Sequence, residues 1–454
     1  MLSQIECKMI KFIKNSIEKL PYSISKLLVF VPFELRLGKQ YTIFKKTIDD
    51  SETWDESQIE KYIVLNFDKI FQHSKQFNLY KEKYVKAGVF NLKIETLDDI
   101  KKVPPLKKEE VRKYFNLFNG KYLLNTGGTS GSPLAFYLDK NVWAREWAHM
   151  HFIWKKAGYS HTDLKFTFRG KDIGTKFIEY NCVHNEFIIN TYKSPQQYLL
   201  QFFKILHTKK VKYFHGYPSA IYNFLKEIES HITENQKRII TDNIKCCFFG
   251  SEYPTPQIVN YIKDVWRLNY LSWYGHSEMC VLARGEMNNT NYIPLHTYGY
   301  AETENNELLG TSYHNFDMPL IRYNTGDVVN PMYYDNSVLK SFTIKDGRSG
   351  DFVIDKKGNS ISLTSLIFGR HHDIFQFIDY IQVHQIKNGY VTFLISKSDD
   401  KKLETIKLMD LNNIDIVFDF LFINKPIRTK SGKVSLKLLE LPKNIRYETN
   451  NTRS

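Results

Sequence analysis

Residues 125–133 read Asn125-Thr126-Gly127-Gly128-Thr129-Ser130-Gly131-Ser132-Pro133, directly after the apolar pair Leu123-Leu124. Glycines interleaved with hydroxyl residues let backbone N–H groups and side-chain donors wrap around phosphate oxygens. No lysine follows the last glycine, so this is not the GxxxxGK[ST] loop, and phosphoryl transfer of that type loses weight. A glycine- and serine-rich run is also what a surface turn contains, so the loop has to be weighed with its surroundings.

Those surroundings change character at the loop. Upstream, over residues 57–115, apolar residues recur at helical spacing, as in IEKYIVLNFDKIFQHSKQF and KKEEVRKYF, with a break at Val103-Pro104-Pro105 where proline removes a donor and restricts the residue before it. Downstream of Lys121, strand-like runs (FYLD, KFTFRG, FIIN, VKYFHGYP, IKCCFFG) alternate with helix-like ones such as SAIYNFLKEIES. That alternation predicts an α/β fold with a largely parallel sheet, whose ligands sit in crevices at the carboxyl ends of strands. Beyond Asp346 a smaller α+β unit is expected: a strand DFVI, a turn at 356–359, a hairpin through Asn388-Gly389, a helix, and a last strand IDIVFDFLFI. The boundary falls near residues 347–350. Residues 1–120 then form a helical leader, 121–346 the core of a large domain, and 347–454 a small C-terminal domain. No internal repeat of solenoid length is present.

Composition fits a globular chain: of 454 residues, 42% are hydrophobic and 25% charged, which excludes the apolar-poor signature of disorder. The net charge of +14 and pI of 9.2 suit a polyanionic partner, but the lysines are scattered rather than striped, so nucleic-acid binding without catalysis stands as a rival of another class and not as the first reading. Five cysteines (Cys7, Cys182, Cys246, Cys247, Cys280) without CxxC spacing argue against a disulfide framework and place the chain in a reducing cytoplasm. Charges at Glu6, Lys8, Lys11 and Lys14 interrupt the first residues, so no signal peptide or spanning helix is expected there. The apolar, lysine-flanked stretch 20–33 (LPYSISKLLVFVPF) leaves two readings open: packing on the main body and peripheral contact with a membrane surface.

Further motifs follow in order: Trp273-Tyr274-Gly275-His276-Ser277-Glu278, Ile321-Arg322-Tyr323-Asn324-Thr325-Gly326-Asp327, Asp346-Gly347-Arg348-Ser349-Gly350-Asp351, and Arg428-Thr429-Lys430-Ser431-Gly432-Lys433. Each is modest alone, but with the loop at 125–133 the ordered set resembles the acyl-adenylate-forming superfamily. FHGYPSAI at 214–221, FFGSEYP at 248–254 and MPLIRYNTGD at 318–327 resemble its phenylacetate-CoA ligase branch, and the N-terminal leader is similar to that of CapK-type proteins of capsular polysaccharide synthesis.

The resemblance implies ATP-dependent activation of a small-molecule carboxylic acid (aryl, acyl or amino acid) to an acyl-adenylate with release of pyrophosphate, followed by acyl transfer. Attack on the α-phosphorus adds charge to an anionic centre, so donors, a cation and a metal are needed. By resemblance, Thr126, Thr129 and Ser130 hold the β- and γ-phosphates, assisted by the N–H groups of Gly127, Gly128 and Gly131. Ser277 contacts phosphate, and Glu278 helps hold Mg²⁺. Asp327 accepts from the ribose hydroxyls, with Arg348 adding a ribose or phosphate contact. Tyr274 and the Gly250-Ser251-Glu252 segment flank adenine, while residues 217–219 and 273–279 border the acid. Lys433 carries the chemical step on a C-terminal domain that rotates about a hinge at Gly350. The acceptor stays open among coenzyme A, as in an acyl-CoA ligase, a sugar or sugar nucleotide in polysaccharide synthesis, and a protein thiol. Two positions depart from the family's pattern: Leu134 stands where relatives often carry lysine or a hydroxyl residue, and Ser277 where threonine is more usual.

Other candidates are weaker. His276 and Cys280 lie four apart, a spacing that shares a helical face, but two ligands do not make a zinc site. Cys246-Cys247 lies in an apolar run and reads as core. His371-His372 reads as a solvated pair, and outside its motif Glu278 would read as a surface carboxylate at a helix start.

Overall fold

The computed structural model describes residues 22–126, 134–171, 173–345, 352–363, 366–367, 370, 372–376, 378, 380–396, 409–424, 426–427 and 436–441. The leader is helical, as its periodicity requires. Helix α1 (Lys39–Ser51) is followed by α2 (Glu56–Ser74), in which Ile63, Phe67, Ile70 and Phe71 share one buried face. Asp55 caps α2 reciprocally: its carboxylate accepts from the Gln58 N–H at 2.8 Å, and the Gln58 side chain accepts from the Asp55 N–H at 2.9 Å. The helix Leu97–Lys102 stops at Val103, ahead of the two prolines.

Strands β1 (Tyr122–Thr126) and β2 (Leu134–Leu138) form an antiparallel hairpin with Thr126 opposite Leu134. A further helix, α3 (Val142–Lys155), leads into an eight-stranded mixed sheet. Its strands are β3 (Lys165–Phe168), β4 (Ile178–Asn181), β5 (Glu186–Ile189), β6 (Tyr213–Gly216), β7 (Cys246–Phe249), β8 (Tyr270–Gly275), β9 (Leu282–Arg284) and β10 (Ile293–Pro294), in the order β10-β9-β8-β7-β6-β3-β5-β4. The inner five, β5, β3, β6, β7 and β8, run parallel, and β4, β9 and β10 pair antiparallel at the edges.

Parallel neighbours need crossovers, and helices supply them: α4 (Leu199–Lys209) before β6, then α5 (Pro218–Glu229) and α6 (Glu234–Asn243) before β7. These helices cover one face, where Phe214, Cys247 and Phe249 meet Phe202, Phe224 and Ile240. The alternate residues Tyr213, Cys246 and Phe248 point to the other face, against Ile153 and Trp154 of α3. Burial on both faces explains why these strands read as unbroken apolar runs. Cys246 and Cys247 are core residues, and burial pushes the Cys246 thiol up to about 12.

Four antiparallel strands follow: β11 (Tyr300–Glu304), β12 (Glu307–Thr311), β13 (Tyr323–Tyr333) and β14 (Leu339–Ile344). At the C-terminal end, β15 (Phe352–Ile354) and β16 (Ser360–Ser362) pair, and β17 (Tyr380–Lys387), β18 (Tyr390–Ser396), β19 (Val417–Ile423) and β20 (Lys437–Leu438) form a sheet in the order β19-β18-β17-β20. Gly389, with a φ of 76°, makes the β17–β18 turn. The strand IDIVFDFLFI is not the last, because β20 returns parallel to β17. The helix expected before it falls on residues 397–408, outside the described residues, as does the expected boundary at 347–350. His372 is not solvated: it is buried, donating from Nε2 to the Leu366 carbonyl at 2.8 Å and accepting at Nδ1 from the Asp410 N–H at 3.0 Å, while His371 lies outside the described residues. No helix among the described residues is long and apolar enough to cross a membrane.

One buried cation ties the leader to the β11–β14 sheet. Arg322 donates from Nε to Glu302 Oε1 at 2.7 Å, from Nη2 to Glu302 Oε2 at 3.2 Å, and from Nη1 to the carbonyls of Val103 at 2.5 Å and Lys101 at 3.1 Å. Immediately beside it, Leu106 and Tyr323 form a bridge in which the Leu106 N–H donates to the Arg322 carbonyl at 2.9 Å. Truncation would leave Glu302 buried and unpaired, which costs about 3–5 kcal/mol. Arg322→Ala is therefore expected to lower the unfolding free energy by that order in urea titration, and a loss below about 1 kcal/mol would place the pair among surface bridges of little consequence.

Candidate active site

The carboxyl ends of β3, β6, β7 and β8 open on one crevice. Around it the structure gathers residues from motifs far apart in the chain. Tyr274, at the end of β8, donates its hydroxyl to Asp327 Oδ2 at 2.7 Å, and its ring meets Phe342 edge-on at 5.3 Å. Asp327 sits on β13 just after Gly326, whose φ is 79° and whose N–H donates to Asn324 Oδ1 at 2.8 Å. The Asp327 N–H donates to Thr325 Oγ1 at 3.2 Å, and the β12–β13 register shifts here. A bulge rather than a free turn therefore aims the Asp327 side chain.

The second meeting point is Glu278. It is neither a helix start nor a surface group: residues 276–280 are non-helical, Met279 has a φ of 55°, and Glu278 is buried. Tyr323 donates to Glu278 Oε1 at 2.9 Å, and His276 Nδ1 lies 3.1 Å from Oε2. The Val281 N–H donates to His276 Nε2 at 3.2 Å, so Nε2 is the acceptor and Nδ1 carries the proton that points at Glu278. Burial pushes the Glu278 carboxyl upward, but the His276 hydrogen bond and surrounding positive charge outweigh it and lower it to about 2. His276 and Cys280 do not share a helical face; Cys280 is core, and burial raises its thiol.

The Gly250-Ser251-Glu252 segment lies at the end of β7. The Gly250 N–H donates to the Gly216 carbonyl at 3.1 Å, and a Cβ on Gly250 would collide with the Trp273 indole. Buried Glu252 accepts from the Ser219 N–H at 3.2 Å, placing a carboxylate at the N-terminus of α5. Ser251, with a φ of 68°, receives Arg169 Nη2 at 3.4 Å. Ser277 is exposed. Tyr217 and Ser219, expected near the acid, are buried at the start of α5.

Thr126 closes β1, and Leu134 is buried in β2, in keeping with no phosphate role for that leucine. Gly127, Gly128, Thr129, Ser130, Gly131, Arg348, Gly350 and Lys433 lie outside the described residues.

Sequence reasoning passed over four residues at the crevice: His276 as a partner of Glu278, Tyr323, Arg169 and Glu146. Arg169 lies over the Tyr217 ring at 5.9 Å. Glu146, on α3, accepts from the Tyr298 hydroxyl at 2.7 Å; burial raises its carboxyl, opposed by that bond and by Arg145, Arg169 and His276. The available signal was the charged pair Arg145-Glu146 inside the otherwise largely apolar and aromatic run WAREWAHMHFIW.

Among the described residues no three acidic, histidine or cysteine side chains cluster as a metal cage. The donor set still fits one hard cation: Glu278 is a carboxylate held ionised, and Mg²⁺ ordinarily takes one or two carboxylates and completes its shell with phosphate and water.

No family model matches the chain. The protein CapK of Staphylococcus aureus is 23% identical over 394 residues, covering 81% of this chain and 86% of that protein. Among solved structures, 2-hydroxyisobutyryl-CoA ligase in complex with 2-HIB-AMP and CoA in the thioesterification state aligns with a TM-score of 0.53 at 15% identity, over 86% of this chain and 91% of that one. The same ligase in the postadenylation state with 2-HIB-AMP aligns at 0.50 and 16% identity, over the same shares. These likenesses show that the chain shares the fold of that ligase over most of its length.

Proposed function

We propose that the protein is an AMP-forming ligase that activates a carboxylic acid with ATP to an acyl-adenylate and pyrophosphate, and then transfers the acyl group. The observation that carries this reading is the double meeting of residues 274–278 with 323–327: Tyr274 on Asp327 and Glu278 on Tyr323. Asp327 has Oδ1 left to accept from ribose hydroxyls, while Tyr274 and the Gly250-Ser251-Glu252 backbone border the adenine. Ser277 and the loop of Thr126, Gly127, Gly128, Thr129, Ser130 and Gly131 would hold phosphate oxygens. Glu278 would hold Mg²⁺, which when bound neutralises charge on the phosphates.

Residues 1–346 are the nucleotide- and acid-binding body in this reading, and 347–454 a lid rotating at Gly350. The lid brings Lys433 between the acid and the α-phosphorus, with Arg348 on the ribose or phosphate. Buried cysteines that form no disulfide among the described residues suit a cytoplasmic enzyme. The likeness to CapK favours a sugar or sugar-nucleotide acceptor in surface polysaccharide synthesis. A second reading, acyl-CoA formation, is favoured by the CoA bound in the aligned ligase structure.

Two tests follow from the site. Glu278 lies below its ordinary value of 4.5, at about 2, so the stability it contributes is fully present above pH 4.5 and is lost as pH falls through 2. The stability margin of the wild type over Glu278→Gln, measured by denaturant titration across pH, is expected to shrink over that window; a margin constant with pH would show that the carboxylate is not held ionised. ATP–pyrophosphate exchange across a panel of amino, aryl and fatty acids, with and without coenzyme A, tests the activity itself. Lys433→Ala is expected to cut exchange by at least on the order of 10²-fold while ATP binding is kept. Exchange retained in that variant removes Lys433 from the chemistry, and absence of both nucleotide binding and AMP release with every acid removes the function.

A further inference from the structure

The segment from Tyr22 to Leu37 is divided between two environments. Val29 and Phe33 are buried, Phe33 meeting the His151 ring edge-on at 4.4 Å and lying 6.0 Å from Trp147 of α3. Arg36 fixes the intervening turn by donating to the carbonyls of Val31 at 2.8 Å and Val183 at 3.2 Å, with its guanidinium 4.6 Å over the Phe33 ring. Those contacts satisfy the inner side. On the outer side Ile24, Leu27, Phe30 and Leu35 keep 55%, 57%, 71% and 76% of their surface in solvent.

This is not the scatter of single exposed leucines that every surface shows. Leu27 and Phe30 lie three apart in the 3₁₀ turn Lys26–Phe30, where residues i and i+3 eclipse and project together, and Ile24 precedes them at the same interval. The charge at the patch has one dominant sign. Within residues 22–39 the bases are Lys26, Arg36 and Lys39, against the single acid Glu34. Lys209, from the end of α4, also reaches this segment, lying 4.5 Å from the Tyr22 ring centroid, with Lys26 at 5.8 Å and exposed Lys210 next in the chain.

We propose that this patch docks the enzyme on an anionic lipid bilayer, inserting Ile24, Leu27 and Phe30 at the level of the headgroups while Lys26, Lys39, Lys209 and Lys210 lie against lipid phosphates. Apolar side chains ringed by long cationic ones match the two layers of a bilayer interface, because lysine stems run along apolar surface while their ammonium groups reach the phosphates. A purely apolar partner face, such as a second copy of this patch, would instead bring four lysines of each copy together. The proposal is independent of the acyl-adenylate reading, since none of these residues belongs to the crevice.

The test is flotation of the full chain with vesicles of phosphatidylcholine alone and of an equal mixture with phosphatidylglycerol. Binding is expected on the mixed vesicles, weaker on the neutral ones and weakened by added salt. The double variant Leu27→Ser, Phe30→Ser should lose roughly tenfold or more in partitioning, because both side chains are already in water when unbound and the change removes apolar transfer without disturbing the core. Met332→Ser, at another exposed apolar residue on a different sheet, should bind like the wild type. The proposal is overturned by absence of binding, by equal binding to neutral vesicles, by an unaffected double variant, or by sedimentation showing a dimer that the double variant dissolves.

Discussion

The guanidinium of Arg322 is the point on which the site's geometry depends. Arginine offers five donors in a rigid plane, and here they reach a buried carboxylate and two carbonyls of the leader. Lysine could not span the same partners. The backbone at this residue has a φ of 46°, a conformation that non-glycine residues adopt only when surrounding bonds over-determine it. Those bonds are the Arg322 side chain itself, the Leu106 N–H on the Arg322 carbonyl, and the Arg322 N–H on Thr311 Oγ1 at 2.8 Å. With position 322 fixed, the neighbouring Tyr323 hydroxyl is carried to Glu278, and the bulge four residues on carries Asp327 to Tyr274. The helical leader thus fixes the edge of the site, and its Lys108 adds positive charge near Glu278.

A common feature runs through the carboxylates of the crevice. Glu278 is held by a tyrosine hydroxyl and an imidazole N–H, Asp327 by a tyrosine hydroxyl, and Glu252 by a backbone N–H. An arginine or lysine partner would fix an acid equally well but would cancel its charge. These neutral donors orient the carboxylates. Elsewhere the same chain pairs buried acids with cations, as in Arg322–Glu302 and Arg145–Asp139, where the task is cohesion.

The sequence made the layers of the fold readable because burial imposes periodicity. The helical spacing of Ile63, Phe67 and Ile70 and the apolar runs of β6 and β7 report directly which faces are covered. The Asn388-Gly389 turn was legible for the same local reason, a φ that glycine adopts freely. Among site residues, the order of motifs pointed to Tyr274, Glu278 and Asp327, but not to what holds them. His276 meets Glu278 through a left-handed Met279, which no spacing rule anticipates, so the sequence suggested only that it could share a helical face with Cys280. Arg322 binds a carbonyl 219 residues away, a partnership set by tertiary topology rather than pattern. Glu146 was hidden because an adjacent Arg-Glu pair on an aromatic helix looks like a solvated edge until Tyr298 is placed beside it.

The aromatic content of the chain, which composition alone leaves without a purpose, has one in the core between the sheet and α3. Trp154 stacks on Phe248 at 5.2 Å, Tyr213 stacks on the same ring at 4.9 Å, and Trp273 meets Trp154 edge-on at 5.9 Å and His215 face-on at 6.1 Å. Rings packed this way have few rotamers and bury large areas, so the surface they form is stiff. Trp273 fills the volume that a side chain at position 250 would need, which makes the wall at Gly250 bare backbone. Gly250 is thus in direct contact with an indole that the same stacked core holds in place.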